Sequence, residues 1–353
     1  MIVINGRFLT QKITGVQRFA HEIIRELDRI VKPNEIKILV PRDIIYDEIR
    51  YKNVEIIKCG KLTGHLWEQI ELPFYVKKLK GRLLNLCNTA PIINPGIITI
   101  HDIQTKVHPE FFNKKFAMWY NFMHKINVKK AQKIITVSEF SKKEIIKYYN
   151  IDDNKIEVIY NGWQHMERII ADESILDRLN IKNREYILGV SSINPNKNFK
   201  YILELAKLHP EYKFIVVGKK NDKIFSDTNL EKLTNLIWTG YITDEEIKAL
   251  YSKARVFIFP SFYEGFGIPP LEALACGCKQ VIASNTSCLP EIFETYILYL
   301  NPKEILKLDL NLINNKKNLN KVLSKFSWER SAEKMIDIIL KKKHKNNKIE
   351  LIG

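Results

Sequence analysis

The sequence predicts an α/β protein built from two doubly wound parallel sheets. Short β-branched runs alternate with longer amphipathic segments over nearly the whole chain, and this series restarts after the polar stretch containing Asp172-Glu173-Ser174. The length of 353 residues also exceeds the roughly 250–300 that a single hydrophobic core organises. The restart sets the expected division into a first domain over 1–170, a second over 171–326, and a closing helix with a basic tail over 327–353.

In the first half, strands are expected at Ile2–Asn5, Ile36–Val40, Val54–Ile57, Leu83–Leu86, Ile97–Ile100, Ile134–Val137 and Ile156–Ile159. Between them, Phe19, Ile23, Leu27 and Ile30 fall at steps of four, four and three, which places a helix over Val16–Ile30. A helix also fits Phe112–Ala131, and another starts near Ser138-Glu139-Phe140-Ser141 with Ser138 or Ser141 as its N-cap. In the second half, strands follow at Tyr186–Val190, Lys213–Val217, Leu236–Trp238, Val256–Phe259, Gln280–Ala283 and Ile297–Tyr299. Helices separate them near Phe199–Leu208, Asp244–Lys253 and Pro270–Ala275, and a last helix spans Ser327–Lys342 with Ser327 as its cap.

Composition excludes several classes. With 45% hydrophobic and 27% charged residues the chain is neither disordered nor a disulfide scaffold. No signal-peptide core opens it, and no uncharged apolar run approaches the roughly 18 residues of a membrane span, so a cytoplasmic location is expected. Five cysteines without a C-x-x-C pair read as buried reduced thiols. The net charge of +16 suggests anionic partners: nucleic acid, phospholipid headgroups or phosphorylated substrates. Basic residues are not interleaved with aromatics in one strip and no recognition motif is present, so nucleic acid is not expected.

The stretch from Phe259 to Gly277 carries the chemistry. It reads strand, glycine loop, helix, with Pro at the helix entry and Gly at its exit. A loop with Gly265 and Gly267 lets backbone N–H groups approach an anion, and the helix start behind it favours a phosphate. At the end of a parallel strand, this is where open α/β sheets bind ligands. Glu264 and Glu272 flank the loop, and each could accept pairs of sugar hydroxyls. Taken separately, Glu272 also fits as a first-turn acid complementing the helix dipole, and Glu264 as a solvated loop residue.

Together, Glu264 and Glu272 with Gly265-Phe266-Gly267 between them resemble the E-x7-E signature of family 4 retaining glycosyltransferases. The resemblance covers nearly the whole chain: Thr14-Gly15-Val16-Gln17-Arg18, Ile100-His101-Asp102, Val137-Ser138-Glu139-Phe140-Ser141, Tyr160-Asn161-Gly162, Asn194-Pro195-Asn196-Lys197-Asn198, Trp238-Thr239-Gly240-Tyr241, Leu289-Pro290-Glu291 and Phe326-Ser327-Trp328 all fall at family landmarks. It implies the GT-B fold, with two Rossmann-like domains facing a cleft and a terminal helix crossing back to the first domain. It also implies catalytic roles for Glu264 and His101. Donor contacts are implied at Gly15, Val16, Ser192, Lys197, Gly265, Phe266, Gly267, Ile268, Leu271 and Glu272, with Glu272 on the ribose and Lys197 on the diphosphate.

One departure bears on the donor. Many members carry an arginine where this chain has Ser191-Ser192-Ile193, so diphosphate charge falls to Lys197, Ser192, the helix start or Arg18. No Asp-x-Asp occurs, and fixed positive groups can replace a metal at the leaving group, so no cofactor or metal is expected. The expected reaction moves a hexosyl group from a nucleotide diphosphate sugar, such as GDP-mannose, to a growing glycan. The implied acceptor is lipid-diphosphate-linked, in bacterial surface polysaccharide (O-antigen) assembly at the inner face of the cytoplasmic membrane. Lys77, Lys78, Lys80 and Arg82 are a candidate patch for that anionic surface. The alternatives are a sugar-nucleotide epimerase or hydrolase on the same fold, which the E-x7-E pattern does not support, and a nucleic-acid-binding protein.

Overall fold

The computed structural model describes residues 1–46, 48–190, 194–218, 233–308 and 319–340. Among the described residues, thirteen strands form two sheets. The first comprises β1 (Ile2–Asn5), β2 (Ile36–Val40), β3 (Glu55–Lys58), β4 (Arg82–Asn85), β5 (Ile97–Thr99), β6 (Lys133–Thr136) and β7 (Ile156–Val158), in the order β3-β2-β1-β4-β5-β6-β7. The second comprises β8 (Tyr186–Val190), β9 (Lys213–Val217), β10 (Leu236–Gly240), β11 (Val256–Phe259), β12 (Val281–Ser284) and β13 (Leu298–Leu300), in the order β10-β9-β8-β11-β12-β13. The expected strands are all present, with ends moved by two residues at most.

In each sheet the strand order reverses beside the first strand, between β1 and β4 and between β8 and β11, and both of those pairs are parallel. Such reversals open a crevice at the strands' C-terminal ends. The strands are nearly continuous apolar runs because helices cover both faces of a parallel sheet. β11, Val256-Phe257-Ile258-Phe259, is buried at every position.

Contacts divide the chain into two compact units: Met1–Thr99 with Lys130–Ile134 and Trp328–Gly353, and Ile100–Lys129 with Ile135–Ser327. In the first unit, the helix Gly15–Ile30 buries Phe19, Ile23 and Leu27 as their spacing predicts, while Ile30 at its end is 45% exposed. The last helix, Trp328–Leu340, packs in this same unit: Trp328 is fully buried with its ring edge-on to Phe19, and Arg82 Nη1 donates to the Ile339 carbonyl at 2.8 Å. This helix therefore packs against the beginning of the chain. The residues of the basic tail, Lys341-Lys342-Lys343-His344-Lys345, lie outside the described residues.

The sequence reading missed the helical run from Gly64 to Lys78, which has a π turn at Trp67–Glu71. Trp67, Leu72 and Val76 bury one face, but Leu66, Ile70 and Phe74 are exposed on another. Apolar residues on two faces and a five-residue turn blur the 3.6 period on which a helix is recognised. The helix expected from Pro270 starts earlier, at Ile268.

None of the five cysteines is in a disulfide; Cys278 and Cys288 are buried, whereas Cys59, Cys87 and Cys276 are half-buried, so the expectation of buried thiols holds for two. Among the described residues no helix is long and apolar enough to cross a membrane.

Candidate functional site

The second unit gathers the chemistry at the C-terminal ends of β8 and β11. β11 ends at Phe259 and the chain turns through residues 260–267 into the helix Ile268–Ala275. Gly267 sits at φ +88°, a left-handed conformation that a side chain resists, and caps that helix. Because the helix begins at Ile268, Pro269 and Pro270 occupy its first turn, and neither has an N–H to offer an anion. Donation from this end falls to the N–H groups of residues 266–268 and to the helix dipole.

Asn194–Asn198 lies against the same loop. The Asn194 side chain accepts from the Asn196 N–H, Asn196 Nδ2 donates to the Tyr263 carbonyl at 3.1 Å, and the Phe262 N–H donates to the Asn196 carbonyl at 2.7 Å. Asn198 takes a left-handed conformation, φ +51°, that asparagine tolerates. These bonds deliver Lys197: its Nζ lies 2.6 Å from Glu264 Oε1 and 5.2 Å from the centre of the Phe259 ring. Their side chains are 22% and 12% exposed, so the pair is only partly screened by water.

His101 reaches this loop through its backbone. An added Cβ on Gly265 would stand 2.5 Å from the His101 carbonyl oxygen, so only glycine permits the approach. The Ser141 hydroxyl donates to the His101 carbonyl at 3.0 Å and lies 3.4 Å from the Gly265 carbonyl. Ser141 is placed by its helix, Glu139–Tyr149, whose N-cap is Ser138, with Ser138 Oγ accepting from the Ser141 N–H. The carboxylate of Glu291 accepts the N–H groups of Glu139 and Phe140 at 2.8 and 2.7 Å at that helix start, and the Tyr160 hydroxyl at 3.3 Å. Ser287 Oγ accepts the Glu264 N–H at 3.1 Å. Beside His101, burial pushes the pKa of Asp102 up, the Glu264 charge pushes the same way, and Lys197 opposes it.

Glu272 has its own setting. Its Oε1 lies 2.8 Å from His165 Nε2, and its Oε2 accepts the Tyr251 hydroxyl at 3.2 Å. Burial, then the Glu272 charge, raises the Tyr251 phenol well above its ordinary pKa, which keeps the donated proton in place. Tyr251 is fully buried and the His165 side chain is 2% exposed. Sequence reasoning missed both partners. Tyr251 lies in an ordinary amphipathic helix pattern; His165 follows Asn161-Gly162 by three positions, and a lone histidine gives no signal until the fold places it.

The structure therefore brings Lys197, Glu264, Gly265 and the His101 backbone together and sets Glu272 one helical turn into the same element. Phe266, Ile268 and Leu271 are buried, Leu271 completely, so their main chain rather than their side chains faces any ligand. Phe266 packs against Tyr160 and Phe326. Ser192 lies outside the described residues. Gly15 and Val16 belong to the other unit, where Gly15 opens its helix, the Thr14 N–H donates to Gln17 Oε1 at 3.3 Å, and the Cys87 thiol points at the Val16 carbonyl from 3.8 Å. Among the described residues, no three His, Cys, Asp or Glu side chains form a group able to hold a metal ion.

A family model of glycosyl transferases group 1 matches residues 172–321, and one of glycosyltransferase family 4 matches residues 13–164. The chain is 32% identical over 245 residues to the O-antigen chain mannosyltransferase RfbU of Salmonella typhimurium, covering 68% of this chain and 66% of that protein. It is 30% identical over 223 residues to the O-antigen chain mannosyltransferase B of Escherichia coli, covering 60% of this chain and 58% of that one. The matches thus span somewhat less than two thirds of either relative. Among solved structures, the sucrose-phosphate synthase of Thermosynechococcus elongatus superposes with TM-score 0.75 at 17% identity, covering 96% of this chain and 97% of that one. Anabaena Alr3699/HepE in complex with UDP and glucose superposes with TM-score 0.72 at 18% identity, covering 97% of this chain and 99% of that one. At such identities the likeness is one of fold.

Proposed function

Because the chain belongs to the family 4 glycosyltransferases and has their GT-B fold, we propose that it moves a hexosyl group from a nucleotide diphosphate sugar to a glycan hydroxyl, with retention of configuration. The observation that carries this reading is the convergence of Lys197 and Glu264, 2.6 Å apart, on a glycine loop at the end of β11, with Glu272 in the helix behind. A diphosphate needs a cation and main-chain donors, and a sugar needs carboxylates for its hydroxyls; this loop supplies both.

In this proposal Glu272 holds the ribose, while Lys197 and the N–H groups of the loop hold the diphosphate. Glu264 and His101 orient the donor sugar. The bond from the anomeric carbon to the diphosphate oxygen breaks as the bond to the acceptor oxygen forms on the same face. The acceptor's proton passes to the departing phosphate oxygen, so no side chain has to serve as general base. Lys197 offsets the charge that grows on the leaving group, and neither a metal nor another cofactor is required.

The similarity to O-antigen mannosyltransferases supports a mannosyl donor and a surface-polysaccharide acceptor; in this proposal the donor is GDP-mannose and the acceptor is lipid-diphosphate-linked, met at the inner face of the cytoplasmic membrane. An enzyme working on such an acceptor needs a surface for an anionic leaflet. Exposed Lys77, Lys78 and Lys80 follow the exposed line Leu66, Ile70 and Phe74 on the run Gly64–Lys78. Arg82, expected in that patch, is instead engaged by the Ile339 carbonyl and the Gln132 side chain. Consumption of nucleotide sugars by the purified protein tests the reading.

A further inference from the structure

We infer that His165 and Tyr251 are positioning residues for Glu272: they fix the carboxylate in the orientation that reads a ribose, and so set the preference for ribonucleotide over 2′-deoxyribonucleotide. The inference rests on the proposal that Glu272 takes the ribose, and extends it to two residues that touch no substrate.

A free glutamate in the first turns of a helix has three rotatable side-chain bonds, and freezing them on binding costs conformational entropy. Here the freezing is done in advance. His165 Nε2 meets one carboxylate oxygen at 2.8 Å and the Tyr251 hydroxyl meets the other at 3.2 Å, so each oxygen is anchored separately and the plane of the group is set. A carboxylate offers about four lone-pair directions on its two oxygens, more than the His165 and Tyr251 donors use, so a carboxylate held in this way can accept a pair of hydroxyls. Adjacent hydroxyls of a ribose match that pattern, whereas a 2′-deoxyribose leaves one of the two unused.

The supports are themselves rigid. Tyr251 is fully buried with its ring edge-on to Phe257, and it lies in the last turn of the helix Asp244–Lys253. His165 opens the short helix His165–Arg168, which follows Gln164; Gln164 Nε2 donates to the Phe326 carbonyl and Trp163 Nε1 to the Leu323 carbonyl. The two residues thus reach Glu272 from separate segments, and neither can move without disturbing packed neighbours.

The test is calorimetric titration of the full chain with GDP and UDP and with their 2′-deoxy forms. His165→Leu is expected to weaken binding of the ribonucleotide about tenfold while changing the 2′-deoxy form by less than about twofold. His165→Gln, which can present a donor in place of Nε2, restores most of the ratio, and the near-isosteric Tyr251→Phe lowers it about threefold. A purely structural role would weaken both ligands alike. Should His165→Leu not fold, Tyr251→Phe and His165→Gln carry the test. Folded variants with an unchanged ratio overturn the positioning role if Glu272→Ala collapses the ratio. A ratio unaffected by Glu272→Ala removes the ribose assignment, and this inference with it.

Discussion

Lys197 and Glu264 form one ion pair: the Nζ to Oε1 distance is 2.6 Å, across a loop contact that the Asn196 side chain and backbone secure from both directions. The cation proposed for the diphosphate and the carboxylate proposed for the sugar are therefore not independent. A diphosphate that engages Lys197 draws on the same charge that balances Glu264, so the two substitutions have opposite consequences for binding.

Lys197→Ala removes the cation and leaves Glu264 unbalanced beside an incoming anion. The dissociation constant of the nucleoside diphosphate should rise about 10- to 100-fold, the equivalent of about 1.5–3 kcal/mol for a hydrogen bond to a charged group. Calorimetry reads it directly. An unchanged constant would move the diphosphate anchor elsewhere.

Glu264→Gln keeps shape and removes charge. Turnover should fall by at least about 100-fold, the scale of losing one preorganised group at a reacting centre, while nucleoside diphosphate binding is equal or tighter because Lys197 is released from its partner. The melting temperature should fall by no more than about 4 °C, since a partly exposed pair contributes little to stability. Wild-type turnover in this variant would take Glu264 out of the site.

Gly265→Ala tests the approach of the loop to His101. Its Cβ would stand 2.5 Å from the oxygen and 3.2 Å from the carbon of the His101 carbonyl, with Asp102 Cβ at 3.3 Å, so the closest neighbour is backbone and not the far end of a flexible side chain. Overpacking of this kind costs about 1–3 kcal/mol. A lower melting temperature and lost turnover are expected together; a variant as stable and active as the wild type would show that the contact is dispensable.

Binding to vesicles tests the proposed surface. Flotation with anionic liposomes should recover the protein, with salt reducing recovery, because each Lys or Arg near such a leaflet contributes about 1 kcal/mol that ions screen. The triple change Leu66→Ser, Ile70→Ser and Phe74→Ser should abolish the part that survives high salt. Equal recovery with neutral and anionic vesicles would reduce the lysines to a solvated face.

Much of this was legible in the sequence because its signals are local. Apolar runs of three to five residues marked each strand, and the carboxylates flanking Gly265-Phe266-Gly267 marked the loop. What escaped were features made by chain segments far apart. His165 and Tyr251 meet Glu272 across 107 and 21 positions, and no periodicity announces such a meeting. Glu291 caps a helix that starts 152 residues before it. The exposed line on Gly64–Lys78 was hidden for a different reason: a π turn and a second apolar face cancel the pattern by which a helix is read. Likewise, Arg82 counts as one more basic residue in sequence, whereas in the fold its guanidinium is occupied by Ile339 and Gln132.

The most direct test of the central claim is to incubate the purified protein with a panel of nucleotide sugars, GDP-mannose first. Nucleoside diphosphate release is measured with and without lipid extract, and with and without EDTA. The account predicts that one donor is consumed in a manner dependent on the lipid extract, at a rate EDTA leaves unchanged, because Lys197 and the loop N–H groups meet the leaving charge. Release from no donor would contradict glycosyl transfer, and release abolished by EDTA and restored by Mn²⁺ or Mg²⁺ would contradict the metal-independent mechanism.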